Sequence, residues 1–226
     1  MLIKRRLGIL LKQRGKDFSS ECTPKELSCI STAIKTLSSG GNFLEIGTAA
    51  GGTLKEIINT ADNHNLLANY FVLDPLTYFP NQLEKVHHNL LNSNIDPKKV
   101  KFWEGTTESH LLPAIEKGFT FNFIFVDGDH KAFPVMLDIQ WMELLSVGGI
   151  ACFHDYNDKF PGVVWALDRF LKKNDQFKVI LRAESLIVIK RDGKAIQPVT
   201  QFDLFVSKFM QVFLRVRRSI KKRLPR

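Results

Sequence analysis

Apolar residues in this chain fall into short runs separated by stretches of helical periodicity. Asn42–Ile46 (NFLEI), Tyr70–Leu73, Val100–Trp103, Phe121–Val126 (FNFIFV) and Ile150–Phe153 have the length and density of buried strands. Between them the spacing predicts helices. The first opens at Thr23-Pro24, an N-cap followed by proline at the first helical position, and runs to about Leu37. The others run from Gly51-Gly52-Thr53 to about Ala61, then over 83–91, 108–117, 135–145 and 162–173, with a turn at Val147-Gly148-Gly149. Phe177–Leu181 and Leu186–Lys190 lie only a few residues apart, as the strands of a hairpin do. Strands alternating with helices give βαβ units. The expected fold is α/β: a doubly wound, mainly parallel seven-stranded sheet with a C-terminal antiparallel hairpin.

Composition narrows this picture. The 226 residues, 44% hydrophobic and including 18 Phe, suit one sizeable domain. Cys22, Cys29 and Cys152 form no C-x-x-C pair and no disulfide framework, and are read as reduced thiols of a cytoplasmic protein. No run approaches a spanning helix. Met1–Leu11 lacks a long apolar core and a small-residue cleavage site, so it does not read as a signal peptide.

The net charge of +9 is unevenly placed. Residues 1–17 carry six basic and one acidic side chain, residues 190–226 eleven and two, and residues 18–189 fifteen and twenty. The body is mildly acidic and its flanks basic, which argues against a nucleic-acid groove across the body and permits an anionic surface near the termini. The expected organisation is a basic extension over 1–22, a catalytic domain over 23–190 and a basic amphipathic helix within 191–226. In that helix Phe202, Val206, Phe209, Phe213, Val216 and Ile220 form one stripe. It suits packing on the domain, a homodimer contact, or peripheral attachment to an anionic membrane.

In an open parallel sheet, ligands bind beyond the carboxyl ends of the strands. Those ends read Glu45-Ile46-Gly47, Asp74, Gly105-Thr106, Asp127-Gly128-Asp129-His130 and His154-Asp155. Gly47 and Gly51 let the backbone turn tightly beside a ligand. Their G-x-x-x-G spacing differs from the G-x-G-x-x-G of a pyrophosphate site, which argues against a nicotinamide-dependent oxidoreductase. The acid Glu45 beside them suits a cationic ligand, and Asp74 can accept bonds from ribose hydroxyls.

LEIGTAAGGT, VLDP, EGTTE, FVDGDH and GGIACFHDY, in this order, resemble class I S-adenosylmethionine-dependent methyltransferases, and more narrowly the branch with macrocin-type sugar O-methyltransferases. The resemblance runs from about Thr23 to Lys190. It implies S-adenosylmethionine as cofactor, with contacts at Glu45, Gly47 and Gly51, ribose contacts at Asp74, and adenine contacts around Thr106 and Thr107.

Asp127 and Asp155 end strands expected to be neighbours, so their carboxylates can converge on a hard cation such as Mg2+. His130 can take a hydroxyl proton. In the similar enzymes, an acid followed by D-x-x-H at this strand end supplies a metal ligand and the base, a pattern that Asp127 and His130 fit. Metal-binding relatives usually carry two acids at the next strand, where this chain has His154-Asp155. An imidazole ligand from His154 shifts the preference toward Mn2+. The alternatives are that Asp127 and Asp155 cap helices, that Asp129 only shapes the turn, and that His154 is a buried hydrogen-bonded neighbour. His64, His87, His88 and His110 are read as surface residues without partners. Tyr156, Phe160 and Trp165 suit either the wall of an acceptor pocket or ordinary packing.

The function expected is O-methyl transfer to a small polyhydroxylated acceptor, a sugar or glycan, with or without a divalent metal. A catechol-type O-methyltransferase and a non-catalytic binding module on the same fold are the rivals.

Overall fold

A computed structural model describes residues 20–221. Helix α1 (Pro24–Lys35) is followed by β1 (Gly41–Ile46), α2 (Gly52–Asn63), β2 (Ala68–Asp74), α3 (Gln82–Asn92) and β3 (Val100–Glu104). Then come α4 (Thr107–Glu116), β4 (Phe121–Val126), α5 (Ala132–Ile139), β5 (Leu145–Phe153), α6 (Pro161–Lys173), β6 (Phe177–Ala183), β7 (Leu186–Arg191) and α7 (Gln201–Lys221). The seven strands form one sheet in the order β3-β2-β1-β4-β5-β7-β6. All pairs from β3 to β5 are parallel, and β7 runs antiparallel to both β5 and β6. This is the expected doubly wound sheet with its terminal hairpin.

The elements form where local chemistry starts and stops them. Thr23 and Glu26 close a capping box over the first turn of α1, with Pro24 at its first position. The central strands bury both faces. Phe123, Phe125, Ile124 and Phe153 are sealed between helices, as a sheet covered on both sides requires. One apolar cluster, containing Phe71, Phe121 and Trp141, fills one face, and a second, containing Phe43, Ile58 and Val188, fills the other.

Two expectations shift. The helix expected over 135–145 starts three residues earlier, at Ala132, and its second half tightens into a 3-10 segment, Gln140–Leu144, that buries Trp141 and Met142. The turn expected at Val147-Gly148-Gly149 lies inside β5, where the register against β4 jumps between Phe121 and Phe123. It is an irregularity within a strand.

β1 pairs with β2 on one side and β4 on the other, so the chain reverses its direction of travel across the sheet between β1 and β4. A crevice opens at such a switch point, beyond the carboxyl ends of the strands.

Helix α7 packs on α5 and α6 by a face opposite to the one expected. Asp203 and Ser207 are buried, and Asp203 accepts from Arg169 (2.8 Å) and Lys173 (2.6 Å). The stripe instead faces outward: Phe202, Phe209, Phe213 and Val216 are exposed and Val206 only half-buried. The packing reading thus fails for this stripe, because polar anchors dock the helix. Met1–Leu11, the rest of the N-terminal extension up to Ser19, the side chain of Ile220 and residues 222–226 lie outside the described part. No described helix is long and apolar enough to cross a membrane.

Candidate active site

A cavity of about 860 Å³ occupies the switch point. Gly47, Asp74, Thr106, Thr107, Asp127 and His130 are in its walls, with Tyr78, Phe79 and Phe133 supplying aromatic surface. Among the described residues, Glu45, Gly51, His154 and Asp155 stand behind the lining rather than in it.

The loop between β1 and α2 is fastened from the next βα unit. Asp74 Oδ2 accepts from the Thr48 amide (2.8 Å), and its Oδ1 accepts from the Leu76 amide (2.6 Å) and Gln82 Nε2 (3.2 Å). Gln82 Nε2 also donates to the Ala49 carbonyl (3.0 Å), and Asn89 Nδ2 to that of Ala50 (2.9 Å). The carboxylate read as a ribose acceptor thus also holds the glycine loop. Gln82 and Asn89 carry no sequence signal for this, because their partners are backbone atoms more than thirty residues away. Gly47 has φ +81°, and a Cβ there would strike the Asp127 carbonyl, so the close approach of β1 and β4 needs glycine. Gly51, also at positive φ, caps α2 against Val86.

Glu45 is 2% exposed, and neither carboxylate oxygen has a hydrogen-bond partner. Burial pushes its pKa up to about 8, with the Thr48 side chain opposing and Asp127 and Asp74 adding to the rise. A buried carboxyl without a partner is costly. It suits a cation brought by a ligand.

At the β3–α4 turn, Thr106 caps α4 with Ser109. The Thr107 hydroxyl is already committed: it donates to Asp138 (2.6 Å) and accepts from Trp141 Nε1 (2.9 Å). Only its remaining atoms are open to a ligand. Asp138, which the sequence did not single out, also lines the cavity; burial first, then Asp129, raises its carboxyl to about 7 against the Thr107 hydrogen bond.

One ligand atom each from Asp127, His130 and Asp155 lie within 4.8 Å of one another. His130 Nδ1 is 3.1 Å from Asp155 Oδ2, and its ring packs on Phe160 at 4.4 Å between centroids. Asp155 has φ +59°, a left-handed backbone uncommon outside glycine and concentrated at functional sites. Lys131 and Phe160 are the N-caps of α5 and α6, so neither aspartate is spent on capping.

His154 is not in this group. Its Nδ1 faces Asp127 Oδ1 (3.2 Å) and its Nε2 faces Glu26 Oε2 (3.3 Å). Burial opposes its charge, but the hydrogen bond to Asp127 overrides this and drives its pKa far up. His154 thus stands between Asp127 and Glu26, with Cys22 also close, while His130 is the residue grouped with Asp127 and Asp155. Glu26 is the partner that sequence reasoning missed. Its capping-box pattern was visible, but its reach to Ser185 (2.6 Å) and His154 spans the chain.

Other expectations resolve locally. Asp129 accepts from the Lys131 amide (2.9 Å), a turn-shaping bond. Tyr156, Phe160 and Trp165 pack against the core, and Tyr156 donates to Asp168 (2.7 Å). The histidines read as unpartnered all have neighbours: His64 and His110 bond backbone carbonyls, His87 packs on Phe102, and His88 is engaged as well.

A family model described as a methyltransferase domain matches residues 44–156. The fold is similar to that of NovP, an O-methyltransferase, at a TM-score of 0.62 and 19% identity over 75% of this chain and 80% of that one. It is similar to CalS11, a TDP-rhamnose 3′-O-methyltransferase of calicheamicin biosynthesis, at 0.57 and 14% over 73% and 78%. An O-methyltransferase from Bacillus cereus in complex with SAH matches at 0.59 and 13% over 81% and 90%. At these identities the likeness shows the fold. No curated protein matches the sequence significantly.

Proposed function

The chain belongs to the S-adenosylmethionine-dependent methyltransferases, and from that premise we propose that it methylates a hydroxyl of a small polyhydroxylated acceptor, a sugar or glycan. The observation that carries this reading is the grouping of Asp127, His130 and Asp155 within 4.8 Å at the edge of the switch-point cavity. Two carboxylates and an imidazole are suited to grip a hydroxyl and take its proton.

The cofactor fits the residues present. Unpartnered Glu45, just behind the cavity wall, would supply a negative charge to an ammonium group on giving up its proton, and Asp74 retains acceptor capacity for a ribose hydroxyl at the cavity wall. Gly47 keeps the backbone close, and Thr106 and Thr107 border the adenine side. When bound, S-adenosylmethionine supplies an electrophilic methyl group on its sulfonium.

The chain's own part is positioning and proton transfer. With Nδ1–H given to Asp155, His130 keeps Nε2 as the acceptor for the hydroxyl proton. Asp127 is held from behind by His154, which Glu26 holds in turn. Fixing the oxygen in line with the methyl carbon is worth several orders of magnitude in rate. Asp127 and Asp155 would also hold a divalent ion, Mg2+ or Mn2+, whose chemistry is to lower the pKa of a bound hydroxyl, leaving the His130 Nε2 lone pair for the proton. The similar fold of CalS11, a TDP-rhamnose methyltransferase, favours a sugar acceptor over a catechol.

Calorimetry with S-adenosylmethionine, with EDTA and then with Mg2+ or Mn2+, tests the cofactor and metal together. Asp74→Ala is expected to weaken binding by about tenfold. Labelled methyl transfer to a panel of nucleotide sugars, glycans and catechols tests the acceptor. Transfer to catechols alone sinks the sugar reading, and no cofactor binding under any condition sinks the enzyme.

A further inference from the structure

Helix α7 turns an apolar stripe outward. Phe202, Phe205, Phe209, Val212, Phe213 and Val216 are each 51–66% exposed. At about 100° per residue they fall within an arc of about 100°, on the side opposite buried Asp203 and Ser207. On the same projection Lys208 and Arg215 border one flank of the stripe and Arg217 the other, all exposed. The only acid of the helix, Asp203, is buried between Arg169 and Lys173. The exposed face is thus apolar along its centre and cationic along both edges.

We propose that this face of α7 lies in the plane of an anionic lipid bilayer, with the phenylalanines in the headgroup–acyl boundary and the flanking cations on lipid phosphates. An apolar stripe this long is unfavourable in water and marks a contact surface. Its charge pattern selects the partner. A second copy laid on the stripe brings the same cations and no acid to face them, whereas an anionic bilayer supplies negative charge on both sides of an apolar phase. The chain beyond the described helix continues the pattern, with Lys222, Arg223 and Arg226 in its last five residues. The stripe also adjoins the site. Phe205 and Lys208 line a second crevice, of about 570 Å³, which shares Thr107, Glu108, Phe133 and Leu137 with the switch-point cavity. A bilayer seated on α7 therefore lies beside the cavity, on its Thr107 side.

The test is flotation of the full chain with phosphatidylcholine vesicles, with and without about a third phosphatidylglycerol. The variants are Phe209→Asp/Phe213→Asp and Arg215→Glu/Arg217→Glu, with thermal unfolding as the check on folding. Wild type is expected to float with the anionic vesicles only, and both folded variants to bind at least tenfold more weakly. Failure of wild type to float overturns the proposal, as do equal binding to neutral vesicles and variants that float like wild type. A wild-type dimer in light scattering that Phe209→Asp/Phe213→Asp converts to monomer overturns it in favour of a second copy. None of these readouts depends on methyl transfer.

Discussion

Glu45, at the end of β1, and Phe209, on the outer face of α7, sit in opposite wrong surroundings. The carboxyl is sealed from water with both oxygens unpartnered, and the ring is 62% exposed. Neither arrangement favours folding, since a buried polar group without a partner and an apolar stripe in water each cost free energy. Under the two proposals, each is prepared for something different: a charge delivered into the sheet's ligand edge, and a surface laid against the helix. Glu26 and Asp203 are as closed to solvent as Glu45 but set less deeply in the domain, and they have partners. Burial would raise both, but the Ser185 and Thr23 bonds of Glu26 and the Lys173, Thr200 and Arg169 bonds of Asp203 bring their pKa values down. A buried acid with a full set of partners holds the fold together.

The sharpest way to break this comparison is at the reaction centre. His130→Ala or Asp127→Ala is expected to lower kcat by about 10²–10⁴-fold in a labelled-methyl assay, while the cofactor's Kd changes by less than about threefold. A parallel loss of cofactor binding would mean that these residues belong to the cofactor subsite.

Next in size is the contrast between the two faces of α7. Asp203→Ala leaves Arg169 and Lys173 without their anion and is expected to cost about 3 kcal/mol in denaturant unfolding. Phe209→Asp, on the exposed face, is expected to fall within about 0.5 kcal/mol of wild type. If the phenylalanine proves the costlier, the stripe is buried in solution by something the described chain does not contain.

Glu45 gives a smaller and more specific signal. Its folded pKa near 8 leaves it protonated at neutral pH, and an ammonium ligand binds the ionised form. Cofactor affinity should therefore rise as pH climbs toward 8, by at most about tenfold per unit, with proton release in calorimetry. In Glu45→Gln the affinity should be lower, and this part of the pH dependence should vanish.

The remaining effect is on acid stability. The Glu26 carboxyl has a folded pKa of about 2, below its ordinary 4.5, so its stabilisation is complete above the ordinary value and lost as pH falls toward the folded one. Glu26→Gln should flatten the acid limb of the unfolding curve between those two values.

Much of this was legible in the chain. Short apolar runs and period-3.6 spacing, with the Thr23-Pro24 cap and the loop glycines, determined the element order, because buried strands and half-buried helices impose those patterns locally. The residues ending each strand could be named as candidates, since a parallel sheet directs all its strand ends to one edge. Tertiary structure decided which of them meet. It placed His130 beside Asp155, tied His154 between Asp127 and Glu26, and bound the Thr107 hydroxyl to Asp138 and Trp141. Such pairings join residues far apart in sequence and leave no periodic trace. It also turned α7 over. The sequence holds the stripe, but which face of an amphipathic helix docks depends on what the domain offers it, and Arg169 and Lys173 offer a site for Asp203.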